Sequence, residues 1–226
     1  RILTRPIIEM TSSVDAISRG SLDQRMPVRG RDEIGRLSSA INRMMETLSL
    51  YLPVRLVAKI LGSSSTLDLG GARAPVSVFF SDLAGFTTTS EGLTPERLVT
   101  LINEYFTAMT DIIEDLGGTV DKYLGDAIMA FWGAPDPSDR HARLACEAAV
   151  RQIEALARMQ QEWKKQGKPH LRFRIGINSG EAVVGNMGSR TRFNYTAMGD
   201  VVNLASRLEG AAKNYGTASL IGEATV

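Results

Sequence analysis

Two aspartates of this chain, Asp82 and Asp126, stand where their carboxylates could hold a divalent cation. Asp126 completes a glycine-aspartate pair between two runs of strand-forming residues, Thr119–Leu124 and Ala127–Trp132, and glycine supplies the positive φ that a two-residue hairpin turn requires. Asp82 follows the apolar run 76–80. If the two strands are neighbours, both carboxylates lie near the same end of a sheet. Such oxygen ligands suit hard divalent cations, and two ions about 3.5–4 Å apart can activate an attacking oxygen and stabilise phosphoryl oxygens.

Each aspartate also has a structural interpretation. Aspartate is common in hairpin turns because its side chain caps the local backbone, and an aspartate after a strand often caps the next helix. For either residue alone this structural interpretation is the stronger one. Together with the motifs below, Asp82 and Asp126 favour a metal site.

A glycine turn follows the first of these aspartates, in the segment FFSDLAGFT. Small residues around Gly85 allow main-chain amides to approach an anion, and the start of a following helix would add its positive end. The segment therefore predicts a phosphate-binding turn. It is not a P-loop, because no GxxxxGK[ST] motif occurs in the chain.

The last predicted helix carries Asn203 and Arg207, which are four positions apart and so share one helix face. An amide beside a guanidinium suits the stabilisation of a pentavalent phosphorus. The alternative is a solvated helix face on which Arg207 pairs with a carboxylate. From these two residues alone that alternative stays open.

The composition is that of a folded protein with no strong charge. The chain has 226 residues, 43% of them hydrophobic, and a formal net charge of +1, so charge gives no sign of a nucleic-acid partner. A single cysteine, Cys146, excludes an intramolecular disulfide and fits a reducing compartment. His141 and His170 show no spacing of a zinc site or a catalytic triad. No stretch is long enough to span a bilayer.

The first 50 residues predict two short helices with heptad spacing, joined by an extended polar connector. Their apolar seams are Ile7, Met10, Val14 and Ile17 in the first helix and Ile34, Leu37, Ile41, Met44 and Leu48 in the second. Such short helices cannot bury these seams alone, which predicts a parallel dimeric four-helix bundle. With RPI at its start and DEIGRL opening the second helix, residues 1–50 resemble a HAMP signalling module; an ordinary dimerising coiled coil is the alternative.

Residues 51–70 are predicted to connect this module to the next domain. Pro53 interrupts any continuing helix, and Gly62 with three following serines forms a joint. From residue 71 onward the pattern alternates between strands and helices. We expect strands at 75–80, 119–124, 127–132, 171–178, 182–184, 192–196 and 219–221, and helices at 95–116, 138–166 and 200–214. This order predicts a ferredoxin-like α+β fold, an antiparallel-type sheet with helices on one face.

Three segments, FSDLAGFT, DKYLGDAIMAFWGAP and YTAMGDVVNLASRLEG, resemble in this order the catalytic domain of class III nucleotidyl cyclases. The resemblance runs from about Pro75 to the end of the chain, and the catalytic domain is expected to span residues 71–226. The resemblance implies that Asp82 and Asp126 are ligands of two Mg²⁺ or Mn²⁺ ions, helped by the carbonyl of Leu83. It further implies a homodimer, in which the metal-binding face of one protomer meets the base- and ribose-binding residues of the other.

The same resemblance assigns roles around the nucleotide. The amides of Gly85 and Phe86, with Thr87 beside them, would bind the β- and γ-phosphates. Asn203 would orient the ribose, and Arg207 would stabilise the transition state.

Lys122 and Thr196 fall where the family places the pair that selects the purine. A lysine donor recognises adenine N1, whereas guanylyl cyclases resemble one another in having glutamate there. Thr196 replaces the aspartate of many adenylyl cyclases, and its hydroxyl can still accept from the adenine amino group. The resemblance therefore implies ATP as the substrate.

The sequence thus predicts a HAMP-regulated adenylate cyclase that converts ATP to 3′,5′-cyclic AMP and pyrophosphate, with no nucleic-acid partner. The catalytic part is expected in the cytoplasm, after a membrane helix or sensor segment. The family has a further phosphate-binding lysine beyond the position of Val226, so we expect a truncated domain; Arg192 is a possible additional phosphate contact. The alternatives are a guanylate cyclase, a non-catalytic nucleotide-binding dimer, and more weakly a diguanylate cyclase, whose GGDEF-like turn does not occur.

Overall fold

The computed structural model describes residues 4–18, 25–30, 32–51, 70–189 and 193–226. The chain divides into two compact units, Arg1–Asp68 and Leu69–Val226. The predicted interruption at Pro53, the joint at Gly62 and the possible phosphate contact Arg192 lie outside the described residues. Within the described ranges, no helix combines the length and the apolar character that crossing a membrane requires.

The first unit contains the two predicted helices, α1 (Thr4–Ser18) and α2 (Glu33–Tyr51). Met10 and Ile17 of α1 are buried with Met45 of α2 and with Met26, which lies on the segment between the helices. The amide of Met26 donates to Asn42 Oδ1 at 2.8 Å, and Asn42 Nδ2 donates back to the carbonyl of Met26 at 3.1 Å. This double hydrogen bond fixes the connecting segment against α2.

The DEIG motif, residues 32–35, forms the start of α2, and the geometry there explains its first and last residues. Asp32 Oδ1 accepts the amide of Gly35 at 2.9 Å and so caps the helix. A Cβ at Gly35 would lie 2.4 Å from the carbonyl oxygen of Gly30, so the fourth residue of the motif has to be glycine.

Two residues of each predicted seam face outward in the single chain. Ile7, Val14, Leu37 and Met44 are exposed, while the alternate seam residues pack inside the unit. Exposed apolar residues at this spacing are what a coiled-coil partner covers. The parallel dimeric bundle stays a prediction, and these four side chains are the surface on which it depends.

The second unit is a six-stranded sheet with helices on both faces. Its elements are β1 (Gly70–Leu83), α3 (Phe86–Glu91), α4 (Pro95–Asp115), β2 (Thr119–Leu124), β3 (Ala127–Trp132), α5 (His141–Lys165), β4 (Phe173–Gly188), β5 (Phe193–Met198), α6 (Asp200–Tyr215) and β6 (Ser219–Ile221). The predicted hairpin is confirmed with both of its strand boundaries. The predicted start of α4 is confirmed too, because Thr94 caps it and Pro95 follows.

The strand order β2-β3-β1-β4-β5 places the hairpin directly beside β1. These strands are antiparallel, and β6 pairs with β4 in parallel. Ser81 of β1 stands opposite Ile128 of β3. The end of β1 and the hairpin turn therefore lie at the same end of the sheet, as the sequence predicts for Asp82 and Asp126.

The prediction that all helices lie on one face is wrong for α6. Phe79 and Ile128 belong to the core under α4 and α5, whereas their neighbours Val78 and Met129 pack with Ala205 of α6. Adjacent strand residues point to opposite faces, so α6 covers the other face. The apolar run at the centre of β1 has both faces buried for this reason.

The predicted break between strands 171–178 and 182–184 is also wrong. The structure has one continuous strand, β4, which pairs with β1 from Leu83↔Phe173 to Gly70↔Asn186. The serine-glycine pair in its middle suggests a turn, but ladder pairing along all of β1 keeps the chain extended. The helix α6 approaches this strand so closely that a Cβ at Gly176 would lie 2.2 Å from the carbonyl oxygen of Ala205.

Candidate active site

Asp82 lies at the end of β1, close enough to Asp126 in the hairpin turn for its charge to act on the Asp126 carboxyl. Asp126 is half-buried in the hairpin turn. Burial raises the pKa of its carboxyl, and the negative charge of Asp82 raises that pKa further, against a smaller opposite effect of Arg174. Two carboxylates that repel each other in a partly desolvated site form an acceptor for a cation.

Arg174, which the sequence analysis did not select, is the cation already present at this site. It stands opposite Asp82 in the β1–β4 ladder, and its Nη2 donates to Asp82 Oδ2 at 2.5 Å. Its Nε donates to Glu209 Oε1 of α6 at 2.8 Å. Burial raises the pKa of Glu209, and the guanidinium opposes that rise. The signal in the sequence is a lone arginine inside the otherwise apolar run FRIGI, which no periodicity rule marks as functional.

The glycine turn after β1 leaves its backbone open. Gly85 adopts the left-handed conformation, with φ 73° and ψ 23°, directly before α3. A Cβ there would meet nothing within 4 Å, so the backbone conformation rather than crowding favours glycine. A groove of about 690 Å³ borders the turn, and its lining includes the cationic residues Arg172, Arg174 and Lys213. A polyanion could therefore approach this turn.

The remaining residues of the predicted metal and phosphate site flank these groups. The side chain of Leu83 is buried in the core, which fixes the backbone next to Asp82. Phe86 packs against the same core while Thr87 is exposed on α3. Their roles toward metal and phosphate stay predictions.

The predicted purine-selecting pair is in contact. Lys122 Nζ donates to Thr196 Oγ1 at 3.1 Å, although Lys122 lies on β2 and Thr196 on β5, at opposite ends of the strand order. Asp121, which the sequence analysis also missed, lies beneath the pair with its side chain fully buried. It accepts from Thr196 Oγ1 at 2.5 Å and lies 3.0 Å from Lys122 Nζ.

Asn203 and Arg207 are both exposed on α6. Within the described ranges, neither side chain forms a hydrogen bond or an ion pair with another described residue. Both side chains are solvated in the single chain, and Arg207 has no carboxylate partner among the described residues. Their roles toward the nucleotide stay predictions. No described contact joins these two residues to Asp82 or Asp126.

The donor set at the sheet end fits a hard cation shared with a phosphate-bearing substrate. Within the described residues, no group of three or more histidine, cysteine, aspartate or glutamate side chains could enclose a metal ion. Asp82 and Asp126 offer two carboxylates, and substrate phosphates would have to complete the coordination. Mg²⁺ is commonly held in this way, through one or two carboxylates together with phosphate oxygens.

This fold is shared with solved nucleotide cyclase structures. The adenylyl cyclase CyaB from P. aeruginosa matches with 41% sequence identity and a TM-score of 0.65, over 70% of this chain and 81% of that one. The guanylyl cyclase Cya2 matches with 42% identity and a TM-score of 0.64, over 70% of this chain and 79% of that one.

Residues 71–217 match the family described as adenylate and guanylate cyclase catalytic domain, and residues 1–49 match the HAMP domain. The chain belongs to the adenylate and guanylate cyclase family, with a HAMP domain ahead of the catalytic domain. Adenylate cyclase 1 of Rhizobium meliloti (strain 1021) is 37% identical over 100% of this chain, which spans 34% of that relative's length. Members of this family depend on divalent metal ions, bind nucleotide and act as dimers, and a HAMP domain implies an upstream sensor segment.

Proposed function

We propose that this chain is the regulatory and catalytic part of an adenylate cyclase that converts ATP into 3′,5′-cyclic AMP and pyrophosphate. The observation that carries the proposal is the meeting of Asp82 and Asp126 at one sheet end, next to the open turn at Gly85. Relatives and solved neighbours whose names include adenylate cyclase support it.

The reaction closes a ring on the nucleotide. The ribose 3′-oxygen forms a bond to the α-phosphorus, and the bond from that phosphorus to the oxygen it shares with the β-phosphorus breaks. Pyrophosphate departs with that oxygen, and the 3′-hydroxyl proton is released to solvent. Bound divalent cations, which we propose are two Mg²⁺ or Mn²⁺ ions per site, would supply positive charge that favours the 3′-alkoxide and the departing pyrophosphate. Asp82 and Asp126 would hold them, together with the carbonyl of Leu83.

The protein groups bind and orient the nucleotide. The amides of Gly85 and Phe86, with Thr87 beside them, face the β- and γ-phosphates in this proposal, and Arg174 lies close enough to Asp82 to add positive charge. Asn203 positions the ribose, while Arg207 neutralises charge that develops on the phosphorus. Positioning and charge stabilisation are the main contributions of proteins to phosphoryl transfer.

The contact between Lys122 and Thr196 supports adenine as the base. Lys122 can donate to adenine N1, which is an acceptor, whereas guanine N1 carries a hydrogen. Thr196 Oγ1 can accept from the 6-amino group. A guanylate cyclase is the second candidate because the guanylyl cyclase Cya2 is 42% identical, and a parallel assay with GTP separates the two.

The active site is proposed to need two copies of the chain. Lys122 lies four positions before Asp126 along the hairpin, about 13 Å of extended strand, and no described contact brings Asn203 or Arg207 to the carboxylates. A head-to-tail homodimer would let the carboxylates of one protomer meet the base- and ribose-binding residues of the other. Two equivalent sites would then form at one isologous interface.

Regulation is proposed to enter through the HAMP domain. The outward seam residues of α1 and α2 would pack in a parallel dimer, and a change in that packing would alter how the two half-sites meet. The parent protein is proposed to be membrane-anchored through a segment ahead of this chain, with its catalytic domain on the cytoplasmic side.

The test is the formation of cyclic nucleotide from ATP and from GTP in the presence of Mn²⁺. Asp126→Ala should abolish product, and Asp111→Ala, which changes an exposed aspartate of α4, should leave the rate unchanged. A rate from ATP that survives Asp126→Ala would contradict the proposed site.

A further inference from the structure

A β-bulge brings two neighbouring side chains to the same place. The pairing of β2 with β3 shifts register between Val120 and Lys122, so Asp121 is the extra residue of the bulge. Adjacent residues of a regular strand point to opposite faces, yet Asp121 and Lys122 both contact Thr196. Bulges redirect side chains in this way and are common next to active sites.

Asp121 accepts hydrogen bonds through one carboxylate oxygen and forms an ion pair through the other. Its Oδ2 accepts from Thr196 Oγ1 at 2.5 Å and from the amide of Ala197 at 3.3 Å. Its Oδ1 lies 3.0 Å from Lys122 Nζ, and its side chain has no solvent exposure. A carboxylate accepts hydrogen bonds and donates none, so the short contact with Thr196 requires the hydroxyl proton to lie between the two oxygens.

The hydrogen bond from Thr196 to Asp121 determines which hydrogen bonds Thr196 can form with a ligand. A hydroxyl has one proton and two lone pairs. The proton is directed to Asp121, and one lone pair accepts from Lys122 Nζ. The position left for a ligand is therefore an acceptor only, which is the polarity that an aspartate would present there.

We propose that Asp121 is a positioning residue that makes Thr196 a hydrogen-bond acceptor and thereby sets the preference for adenine over guanine. The inference rests on the proposed function, in which Lys122 and Thr196 meet the base. Adenine presents an amino group at carbon 6, which an acceptor binds. Guanine presents a carbonyl oxygen there, which would face the Thr196 oxygen with no proton between them.

Without Asp121 the hydroxyl would be free to turn. A threonine can donate to guanine O6 as readily as it can accept from the adenine amino group, so threonine alone gives little selectivity at this position. An unsatisfied polar contact in a closed site costs binding on the order of tenfold. That factor is the size of selectivity we assign to Asp121.

The experiment measures kcat/KM for ATP and GTP with Mn²⁺ on the purified full chain carrying Asp121→Leu, which keeps the branched shape of the side chain and removes both acceptor oxygens. We expect the ATP-to-GTP ratio of kcat/KM to fall about tenfold, mostly through a higher KM for ATP. Asp111→Leu, the matched exposed control, should leave the ratio unchanged. An unchanged ratio in Asp121→Leu would overturn the inference.

A double variant tests whether Asp121 acts through the hydroxyl. Thr196→Val removes the hydroxyl at nearly constant volume, so adding Asp121→Leu to it should change the ATP-to-GTP ratio no further. A further fall in the double variant would show that Asp121 acts by another route, and would overturn the inference. Thermal melting of each variant checks that it folds.

Failure of the proposed function can be told apart from failure of this inference. If the unaltered chain forms no cyclic nucleotide, the proposed function fails, and selectivity is measured by calorimetric binding of ATP and GTP with Mn²⁺. Tighter binding of ATP that is lost in Asp121→Leu supports the inference, whereas binding of neither nucleotide, or equal binding of both by the unaltered chain, overturns it.

Discussion

The guanidinium of Arg174 contacts the carboxylate of Asp82 at 2.5 Å, across the β1–β4 pair in which the two residues stand opposite each other. The same guanidinium reaches Glu209 on α6 at 2.8 Å. One of the two proposed metal ligands is thus already paired with a positive charge. A divalent cation at Asp82 has to share the carboxylate with Arg174. The free energy of metal binding should therefore depend on whether the Arg174–Asp82 pair is present.

Arg174→Gln should destabilise the catalytic domain by about 1–3 kcal/mol, because two largely buried charge-assisted hydrogen bonds are lost. It leaves Asp82, Asp126 and Glu209 without their common counter-charge. Mn²⁺ should then raise the melting temperature of the variant more than that of the unaltered chain. Arg158→Gln is the control, since Arg158 makes only an exposed 4.0 Å pair with Glu154. An equal rise in melting temperature with Mn²⁺ in Arg174→Gln and in the unaltered chain would contradict the linkage between the Arg174 ion pair and metal binding.

Asp126→Asn should stabilise the metal-free protein while it removes activity. Burial and the nearby Asp82 raise the pKa of the Asp126 carboxyl, so its ionised form costs stability, and the cost grows as pH rises through the folded-state pKa. Because Asp126 is partly exposed, the gain should be below about 1 kcal/mol, and it should vanish in acid. Denaturant unfolding at neutral and acidic pH measures it.

The same variant should also lose the stabilisation by metal. A ligand present at 100 times its dissociation constant stabilises the folded state by about 2.7 kcal/mol, and Asp126→Asn should lose most of that effect with Mn²⁺. A variant that is less stable than the unaltered chain without metal, or that keeps the full Mn²⁺ effect, would argue against a cation between Asp82 and Asp126.

His141 should make stability depend on pH. Its Nδ1 lies 2.8 Å from Ser77 Oγ, and burial lowers its pKa below the usual value near 6.5. The unfolded chain therefore takes up the proton first, and stability should fall as pH drops below about 6.5. His141→Gln should flatten this part of the profile of unfolding free energy against pH, whereas His170→Gln, at an exposed position, should leave the slope as it is. If unfolding free energy still depends on pH in this way in His141→Gln, the dependence comes from other titratable groups.

Two inactive variants should complement each other if the site lies between two protomers. Asp126→Ala damages the carboxylate half-site and Arg207→Ala damages the other. In an equal mixture of freely exchanging chains, half of the dimers are mixed and each keeps one intact site, so about a quarter of the original rate should return. Cyclic AMP formation by the mixture measures this. A mixture as inactive as its parts would contradict the two-protomer site, provided that subunit exchange is confirmed by differently tagged chains.

The sequence predicts the elements best where local chemistry dictates them. The hairpin around Asp126 has a glycine that allows the turn, and α4 begins with the Thr94 cap followed by proline. The prediction for α6 is wrong about the face of the sheet that it covers. The periodicity of a helix carries no information on which face of a sheet the helix packs against. Only the double-sided burial of Val78 and Phe79 reveals that both faces are covered.

Within the site, the sequence marks residues that belong to motifs and misses those that support them. The sequence indicates no functional role for Arg174 or Asp121, and their partners are distant along the chain: Asp82 is 92 positions from Arg174, and Thr196 is 75 from Asp121. The bulge that exposes both Asp121 and Lys122 to Thr196 breaks the strand alternation on which sequence reasoning relies. Such contacts follow from strand order and register, which local patterns do not determine.

The most direct test of the account is the initial rate of cyclic AMP formation from ATP with Mn²⁺, measured for the unaltered protein and for Asp126→Ala, with GTP assayed in parallel. We expect cyclic AMP from ATP, little cyclic GMP from GTP, and a loss of about 100-fold or more in Asp126→Ala. Preferential formation of cyclic GMP would contradict the assignment of Lys122 and Thr196. Cyclic AMP formation that persists in Asp126→Ala would contradict the two-carboxylate site itself.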